Sequence, residues 1–461
     1  MSDISDSRVK TQMLDYSVRS ITAPYYKFVR IPMNNHSSSS TSITSTSTEL
    51  LEWKLPVQVY NLARSYIAYS LDIPSATDSQ NVTFEDTFDI AQSATFGSAG
   101  GVDLVNIQNL QNYVKIARKI ATPMEDYMGN DDMSQLYKCN DVATDNRLPY
   151  EYNEDDNTGN DNFVESKYIN VGVDEASLQR YRQFPLGAIP GTLFAVDRDF
   201  YSPVEQYLRI TAGVGDKVAF RIETLPDGAD ADADPDVSYK SVAKIDINQC
   251  YLYLAVEQNV SIQRLLLEQY QSGKMTYRIP FTTGFKNTGS DANTQTNIQI
   301  QISQQYGKRL RRILHTVWHP ADKLDRAYDC TNWDGSKIKS YQTFLDSLPN
   351  QDRILSCKRP AGKVIGSDDW LENKKFLDKR SCYTSKEMYA LNWFHIDQWY
   401  EPHDKRHALP ADVNLDEGLL MDTSKSWTFS GEAGSVDKLI HCTWVEFSRD
   451  IEVTSAGPKF I

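Results

Sequence analysis

The segment from Tyr251 to Phe285, close to the midpoint of the 461-residue chain, constrains the fold more than any other stretch. It opens with an aromatic and apolar run that is too short for a membrane span and typical of a strand buried on both faces. Ser261 is predicted to cap a short amphipathic helix that ends at Gly273, and an extended β-branched pattern resumes at Met275. Because strand-rich blocks flank this helix on both sides, the pattern predicts two β-sandwiches joined side by side.

Length and hydrophobic periodicity divide the chain into four predicted segments. A chain of 461 residues exceeds what one core usually serves, so two domains of roughly 200 residues each are expected. The segments are an N-terminal arm and Ser/Thr-rich tether at 1–48, a first β-sandwich at 49–259, a linker helix at 260–273 and a second β-sandwich at 274–461.

Alternation of apolar and polar residues predicts strands in both halves. In the first half they are predicted at 51–59, 66–73, 81–90, 192–200, 204–211, 217–223 and 241–256. In the second half they are predicted at 275–285, 297–303, 310–318, 426–430 and 438–453. Helices are expected in the connections: one capped by Asp103 and ended by Pro123, one at 368–378, and one after Thr384, which forms a capping-box pair with Glu387. This strand density predicts a mainly β protein.

Charge and cysteine content argue against several classes of protein. The formal net charge is −14 and the pI is near 5.1, which argues against a surface devoted to nucleic-acid phosphates. The six cysteines contain no CxxC pair, so neither a zinc module nor a disulfide framework is indicated. No apolar signal segment follows Met1, and no run of eighteen apolar residues occurs. We therefore expect a soluble chain with reduced thiols that is not secreted.

A basic segment lies near the N-terminus. Between residues 8 and 30 it carries five cations against the single acid Asp15, and a Ser/Thr-rich tract follows at 37–48. Two interpretations stay open: a basic arm that contacts a polyanion or a neighbouring subunit, and an ordinary frayed terminus. The five cations are Arg8, Lys10, Arg19, Lys27 and Arg30.

Two patterns resemble metal sites only in part. An alternating aspartate array could supply the carboxylate oxygens that Ca²⁺ prefers, but the closing Glu and the turn Gly of a calcium loop are missing, so a mobile loop is the competing interpretation. His315 and His319 have the spacing of paired ligands on a helix, but the strand periodicity of this region would separate them by roughly 13 Å. The aspartate array consists of Asp227, Asp230, Asp232, Asp234 and Asp236.

The densest group of potential ligands and general bases lies on both sides of residue 400. Pro402 and Pro410 favour a solvated polar loop there, and a metal or acid–base site is the alternative. No GxSxG, P-loop, Rossmann glycine pattern or HExxH occurs, so no catalytic residue, metal ligand or cofactor is predicted. The group comprises His395, His403, His407, Asp397, Glu401 and Asp404.

Three local patterns resemble those of a known family. Gly100 to Leu110 looks like the helix inserted in the first jelly roll of capsid proteins from polinton-like viruses and virophages. Leu266 to Tyr270, followed by Ile279 to Phe281, looks like the hinge into their second barrel, and Trp444 to Arg449 looks like their closing strand. With its doubled layout, the chain resembles the double jelly-roll major capsid proteins of tailless icosahedral double-stranded DNA viruses. The resemblance implies two consecutive eight-stranded antiparallel jelly rolls with short helices in the connecting loops.

The resemblance also implies a function. Three copies would form a pseudo-hexagonal capsomer that tiles an icosahedral shell, so the partners would be the chain itself, neighbouring capsomers, and minor capsid and penton proteins. The five basic residues would contact a neighbouring subunit or the inner surface, where an internal membrane or the genome lies. Neither catalysis nor a small-molecule substrate is implied. The protein would be made in the host cell interior and reside in the virion capsid.

Two other classes of function are compatible with a β-rich chain. A carbohydrate-binding or carbohydrate-cleaving β-sandwich would use aromatic platforms such as Trp393, Trp399 and Tyr400 beside paired carboxylates. A spike or adhesion protein would carry fibrous repeats, and the sequence contains none. Solution mass separates the capsid interpretation from the first alternative, because a capsomer subunit forms trimers and larger assemblies.

Overall fold

The computed structural model of the chain describes residues 24–44, 46–72, 80–83, 90–121, 169–170, 181–213, 219–224, 236–241, 244–273, 275–288, 295–302, 309–318, 338–357, 368–377, 393–399, 418–421, 425–433 and 440–461. Three helices are described: α1 (Leu110–Ala121), α2 (Val260–Gln271) and α3 (Asp368–Lys374). Two short 3-10 helices cover Leu186–Ala188 and Leu193–Ala195. No helix in these ranges is both long enough and apolar enough to cross a membrane.

The remaining elements are strands. Before α2 they are β1 (Tyr26–Pro32), β2 (Thr41–Thr44), β3 (Thr48–Leu55), β4 (Val59–Asp72), β5 (Gln80–Thr83), β6 (Ala91–Ser98), β7 (Asp103–Gln108), β8 (Ile169–Asn170), β9 (Tyr181–Pro185), β10 (Asp199–Tyr201), β11 (Gln206–Gly213), β12 (Ala219–Thr224), β13 (Asp236–Ser241) and β14 (Lys244–Glu257). After α2 they are β15 (Thr276–Thr288), β16 (Gln295–Ile302), β17 (Arg309–Trp318), β18 (Ile338–Leu345), β19 (Leu348–Pro349), β20 (Leu355–Ser356), β21 (His395–Gln398), β22 (Leu419–Leu420), β23 (Lys425–Ala433), β24 (Ile440–Thr454) and β25 (Gly457–Phe460).

The strand order on the two sides of α2 is the same. Before α2, two antiparallel sheets have the orders β1-β14-β4-β10 and β3-β11-β6-β7; after α2, the orders are β15-β24-β17-β21 and β16-β23-β18-β19. If the eight strands of each half are counted along the chain, both halves read 1-8-3-6 in one sheet and 2-7-4-5 in the other. This order is that of the eight-stranded jelly roll, which consists of two Greek keys. The predicted double jelly roll is therefore confirmed, and the halves are called the first roll and the second roll below.

The N-terminal arm is the first correction. The first roll does not start at residue 49, because β1 lies inside the predicted arm and β2 inside the predicted tether. β1 pairs with β14 along its whole length and contributes Ile31 to the core, while Lys27 and Arg30 are exposed. Cations on an edge strand discourage pairing with other chains, so a charged composition here indicates an edge rather than a disordered arm.

The helix predicted from Asp103 is the second correction. Asp103–Gln108 is the strand β7, which pairs with β6, and Asn109 turns the chain with a positive φ of 54° into α1. Leu104, Val105 and Ile107 are buried in either conformation, so periodicity over so few residues did not separate strand from helix. The pattern from Gly100 to Leu110 is thus a strand followed by a turn, and the helix starts at its end.

Several strand boundaries also differ. The strand predicted at 192–200 begins with the 3-10 helix Leu193–Ala195, and its strand residues are Asp199–Tyr201 at the end. Asn259, not Ser261, caps α2, because its side chain accepts a hydrogen bond from the Ser261 N–H. The helix predicted after Thr384 lies outside the described residues. Besides β1, β2 and β7, the strands that were not predicted are β6, β8, β9, β13, β18, β19, β20, β21, β22 and β25.

A third sheet belongs to the loops of the first roll. Its order is β13-β12-β5-β8. β5 comes from the connection after the third strand of the roll, β8 from the connection after the fifth, and β12 and β13 from the connection after the seventh. In a jelly roll these connections leave the same end, so this end of the first roll carries an additional layer.

The two rolls share one apolar interior. Their buried residues form one contiguous cluster that extends from Ile31 to Ile451, although none of the described sheets mixes strands from the two rolls. The rolls are therefore docked on each other rather than tethered by α2 alone.

Candidate functional site

The two rolls contact each other through hydrogen-bonded and aromatic side chains. The indole Nε1 of Trp444, on β24, donates a hydrogen bond to the Gln108 carbonyl at the end of β7, at 3.1 Å. The ring of Tyr113, on α1, lies 5.7 Å from the Trp444 ring. The outer face of β15 and β24 thus meets β7 and α1; this contact is called the joint below.

Two glycines permit the close approach of the rolls at the joint. A Cβ at Gly284 would lie 2.5 Å from the Gln108 carbonyl oxygen, and a Cβ at Gly191 would lie 2.7 Å from the Thr282 hydroxyl. Thr282 donates its hydroxyl hydrogen to the Gly191 carbonyl at 2.7 Å. Backbone therefore packs on backbone here, which leaves little freedom for the rolls to slide.

A buried ion cluster lies beside these glycines. Glu446 contacts Arg311 Nε through Oε1 and Arg312 Nη2 through Oε2, both at 2.9 Å, with all three side chains at most 4% exposed. A Cβ at Gly191 would stand 3.1 Å from Glu446 Oε2, so the carboxylate faces the first roll. Buried ion pairs contribute little net stability but are costly to break, so they favour one geometry over others.

Aromatic contacts extend the joint toward the central helix. Phe200 lies 5.4 Å from Tyr277 on β15, and Tyr201 lies 5.4 Å from Tyr270 on α2. These pairs lie beside a small buried group that combines Val59 of the first roll with Met275 and Val453 of the second. The linker helix is therefore packed against both rolls.

A polar network lies between the two sheets of the second roll. Its centre is the buried carboxylate of Asp397 on β21, which accepts hydrogen bonds from Trp427 Nε1 at 2.7 Å, Thr343 Oγ1 at 2.7 Å and Gln351 Nε2 at 3.0 Å. Asn350 Nδ2 donates at 2.9 Å, and His395 Nε2 lies 3.2 Å away. Burial alone would raise the pKa of Asp397, but the nearby His395 and the hydrogen bonds from His395, Trp427 and Thr343 lower it below its usual value.

Two further histidines lie inside the same roll. His315 on β17 contacts Thr443 Oγ1 through Nδ1 at 2.8 Å and His441 Nδ1 through Nε2 at 3.4 Å. Burial, with His441 and His395 nearby, lowers the pKa of His315 well below its usual value, and burial lowers the pKa of His441 to about 4. Both side chains are therefore neutral at physiological pH and act as core residues.

The buried polar groups of the second roll hold its two sheets together, and their packing does not expose them to a substrate. The Asp397 carboxylate is saturated with donors, and His315 is enclosed by Trp393, Trp427 and Phe429. A general base needs access to a substrate proton, which this packing denies. Within the described ranges no three His, Cys, Asp or Glu side chains are placed to hold a metal ion.

The structure corrects the prediction for His395 and Asp397. They were assigned to a solvated polar loop, but they form the buried strand β21, with exposures of 0% and 5%. The period-two pattern around them, with Phe394 and Ile396 as alternate apolar residues, was the signal for a strand. Outside the described residues lie His403, His407, Glu401, Asp404 and His319.

Of the other predicted site residues, some lie within the described ranges and the rest lie outside them. Lys27 and Arg30 lie on β1, and the Arg30 guanidinium stacks 4.5 Å from the centre of the Tyr251 ring. Trp393 is buried in the core of the second roll and Trp399 is half-buried against it, so neither forms an exposed carbohydrate platform. Asp236 is the first residue of β13. Outside the described residues lie Arg8, Lys10, Arg19, Tyr400, Asp227, Asp230, Asp232 and Asp234.

Sequence reasoning missed the residues that build the joint. Trp444 and Glu446 lie on a stretch of β24 that is buried on both faces from His441 to Ser448. One indication of the joint was available from the sequence: the charged residue Glu446 lies within an otherwise apolar run. Its partners Arg311 and Arg312 lie far away in sequence and gave none.

The strand order and the joint define a double jelly-roll protein. No family model and no curated protein matches the chain. The cryo-EM structure of the Sputnik virophage matches with 9% identity and a TM-score of 0.48 over 96% of this chain and 89% of that one. The capsid of PBCV-1 matches with 8% identity and a TM-score of 0.46 over 95% and 97%. The major capsid protein of mavirus matches with 9% identity and a TM-score of 0.40 over 92% and 89%. At such similarity the fold assignment rests on the strand order within this chain.

Proposed function

We propose that this chain is a major capsid protein whose homotrimers form pseudo-hexagonal capsomers of an icosahedral virion shell. The observation that carries the proposal is the docking of two rolls with the same strand order as one rigid unit. Two equivalent rolls per chain give six rolls in a ring of three chains, which is the geometry of a hexagonal tile. A closed ring needs a head-to-tail contact that repeats the same rotation.

The third sheet, which the loops of the first roll form, supports the proposed capsid function as well. β5, β8, β12 and β13 form an additional layer at one end of the first roll. Loops carried on a rigid sandwich supply contact surfaces for other components, and minor capsid and penton proteins are the partners we propose. Any contact with an internal membrane or the genome would be made by the N-terminal cations Arg8, Lys10 and Arg19, since Lys27 and Arg30 belong to a strand.

The proposal assigns no chemical reaction to the chain. Its polar network is enclosed in the second roll, and the joint holds the rolls in one orientation. The protein would be made in the host cell interior and act within the virion capsid. An acidic chain, with a net charge of −14, would not retain DNA on the outside of the shell.

Expression of the full chain tests the proposal. We expect a particle of three times the 52.5 kDa chain mass in analytical ultracentrifugation, and hexagonal tiles or shells in electron micrographs. A monomer at micromolar concentration that forms no assemblies would overturn it. A glycan array and a hydrolysis screen on the same sample would detect the carbohydrate function that the sequence left open.

A further inference from the structure

An exposed aromatic face occurs on the first roll. It comprises five outward residues of β1, β4 and β14, of which Phe28 and Arg30 are exposed and Tyr66, Tyr251 and Tyr253 are half-buried. The Phe28 and Tyr66 rings are 5.6 Å apart, and the Tyr66 and Tyr253 rings are stacked at 5.0 Å. Phe28 is 49% exposed, whereas the alternate residues Ile31 and Leu252 point into the core. These residues are called the aromatic face below.

The other sheet of the same roll presents a different outer surface. Its outward residues form ion pairs, Arg209 with Glu52 at 2.7 Å and Lys54 with Glu205 at 2.7 Å. That is the composition of a solvated sheet face. Aromatic residues and Arg, by contrast, are enriched in protein interfaces, where the core of the contact is depleted of other charges.

The equivalent face of the second roll shows what covers such a surface. By strand order, β15, β24 and β17 correspond to β1, β14 and β4. The outward residues Thr282, Gly284 and Trp444 of the second roll are the ones that meet the first roll at the joint. The aromatic face is therefore the surface of the first roll that corresponds to the covered surface of the second roll. Among the described residues, no element packs on the aromatic face as β7 and α1 pack on the second roll.

The part of the second roll that corresponds to β7 and α1 of the first roll also presents exposed apolar side chains. At the joint, the first roll contributes its fifth strand, β7, and the helix that follows, α1. The corresponding elements of the second roll are β19 and α3. Leu348 on β19 is 73% exposed and Leu371 on α3 is 47% exposed, and Ile354, which directly precedes β20 between them, is 63% exposed. These three residues are called the edge patch below.

We propose that the edge patch of one copy docks on the aromatic face of a second copy, so that the contact between chains repeats the joint within the chain. This inference rests on the proposed capsomer function and specifies the surfaces that close the ring. Arg30 is exposed on the aromatic face, and the loop that carries Ile354 holds both Asp352, with a side chain that is 85% exposed, and its ion partner Arg353 at 56%. Because the two surfaces differ, the contact is head-to-tail and closes only as a ring.

Charge substitutions in the full chain test the inference. Phe28→Glu in the aromatic face and Leu371→Glu in the edge patch should each weaken association by on the order of 30-fold or more, because a charge would be buried at the centre of the contact. The control is Leu50→Glu, since Leu50 is 43% exposed on the outer face of the other sheet. It should leave the mass of the trimer unchanged in analytical ultracentrifugation. Far-ultraviolet circular dichroism and the urea midpoint establish that each variant is folded.

Mixing the two defective variants separates a head-to-tail contact from other arrangements. Only one intact junction can form, between the edge patch of Phe28→Glu and the aromatic face of Leu371→Glu, so the mixture should yield dimers and no trimers. Trimers that persist in both single variants would overturn the inference while the capsomer function stands. The same result is expected if the segment that precedes β1 covers the aromatic face of its own chain. A wild-type chain that stays monomeric would instead overturn the proposed function.

Discussion

At the scale of single residues, Asp397 shows how a buried charge determines the architecture of a roll. It lies on one sheet of the second roll, and two of its donors, Thr343 and Trp427, lie on the other. The carboxylate therefore ties the two sheets at one position. A fully satisfied polar network in a core restricts the number of alternative packings, because any shift leaves a buried group without its partner.

Asp397→Asn should destabilise the chain by about 2–4 kcal/mol, because the amide presents donors where Trp427 and Thr343 already donate. The measurement is the urea unfolding midpoint. The control is Asp346→Asn, which alters a 2.9 Å ion pair with Lys425 on a side chain that is 41% exposed. The control should cost less than about 1 kcal/mol. Equal losses in the two variants would mean that the network is solvated.

The buried histidines predict a pH dependence with a definite sign. The pKa of His441 is about 4 in the folded chain, below the ordinary value of 6.5, so the unfolded chain binds more protons between these two values. Stability is therefore complete above pH 6.5 and falls as the pH is lowered toward 4, by roughly 3 kcal/mol for His441, while His315 adds to the loss in the same direction.

Urea midpoints measured from pH 7.5 to pH 4.5 test this dependence. His441→Phe keeps the ring volume and removes the titrating group, so its midpoint should vary less steeply than that of the wild type. A wild-type midpoint that rises on acidification, or a slope that His441→Phe leaves unaltered, would contradict the assignment.

At the scale of elements, the sequence predicted strands where alternation was long and failed where pairing decided the conformation. β16 follows from a strict period of two, and β15, β17 and β24 follow from long runs rich in β-branched, aromatic and other apolar residues. β7 and β21 are short, and pairing decides their conformation: β7 pairs with the preceding strand β6, and β21 pairs with β17, which is distant in sequence. The ion partners of Glu446, Arg311 and Arg312 on β17, were unpredictable for the same reason, because no local pattern encodes which distant strands pair.

The alternation of buried and exposed side chains along β1 can be tested by substituting one residue of each kind. A frayed arm would show no difference between the two substitutions. Ile31→Ser should destabilise the chain by about 2–4 kcal/mol, because Ile31 is 8% exposed and packs in the core. Arg30→Ser removes only the stacking of its guanidinium on Tyr251 and should cost less than about 1 kcal/mol. Thermal unfolding followed by circular dichroism measures both. Two small and equal effects would indicate that residues 26–32 do not pair with β14.

At the scale of the whole molecule, the joint connects the two rolls through specific contacts. A hydrogen bond from Trp444, the ring of Tyr113 and the buried Glu446 cluster all lie between the rolls. The proposed capsomer requires a rigid pair of rolls, because an error in the angle between them would be multiplied around a ring of three chains. The joint should therefore determine both unfolding cooperativity and assembly.

Gly284→Ala tests this coupling. Its Cβ would stand 2.5 Å from the Gln108 carbonyl and 2.8 Å from the Trp444 indole, so the rolls must separate or the hydrogen bond between them must break. We expect a loss of about 1–3 kcal/mol. In calorimetry, the single transition expected of the wild type should divide into two, one for each roll.

Gly273→Ala is the matched control for this substitution. Gly273 follows α2 with a positive φ of 66°, and a Cβ there would meet no atom within 4 Å. Alanine at this position strains the backbone locally and leaves the joint intact, so the variant should lose stability but keep one transition. If Gly284→Ala also unfolds in one transition at an unchanged temperature, the rolls tolerate separation and the joint does not couple them. If it unfolds in two transitions and its trimers are lost, a fixed angle between the rolls is a condition for assembly.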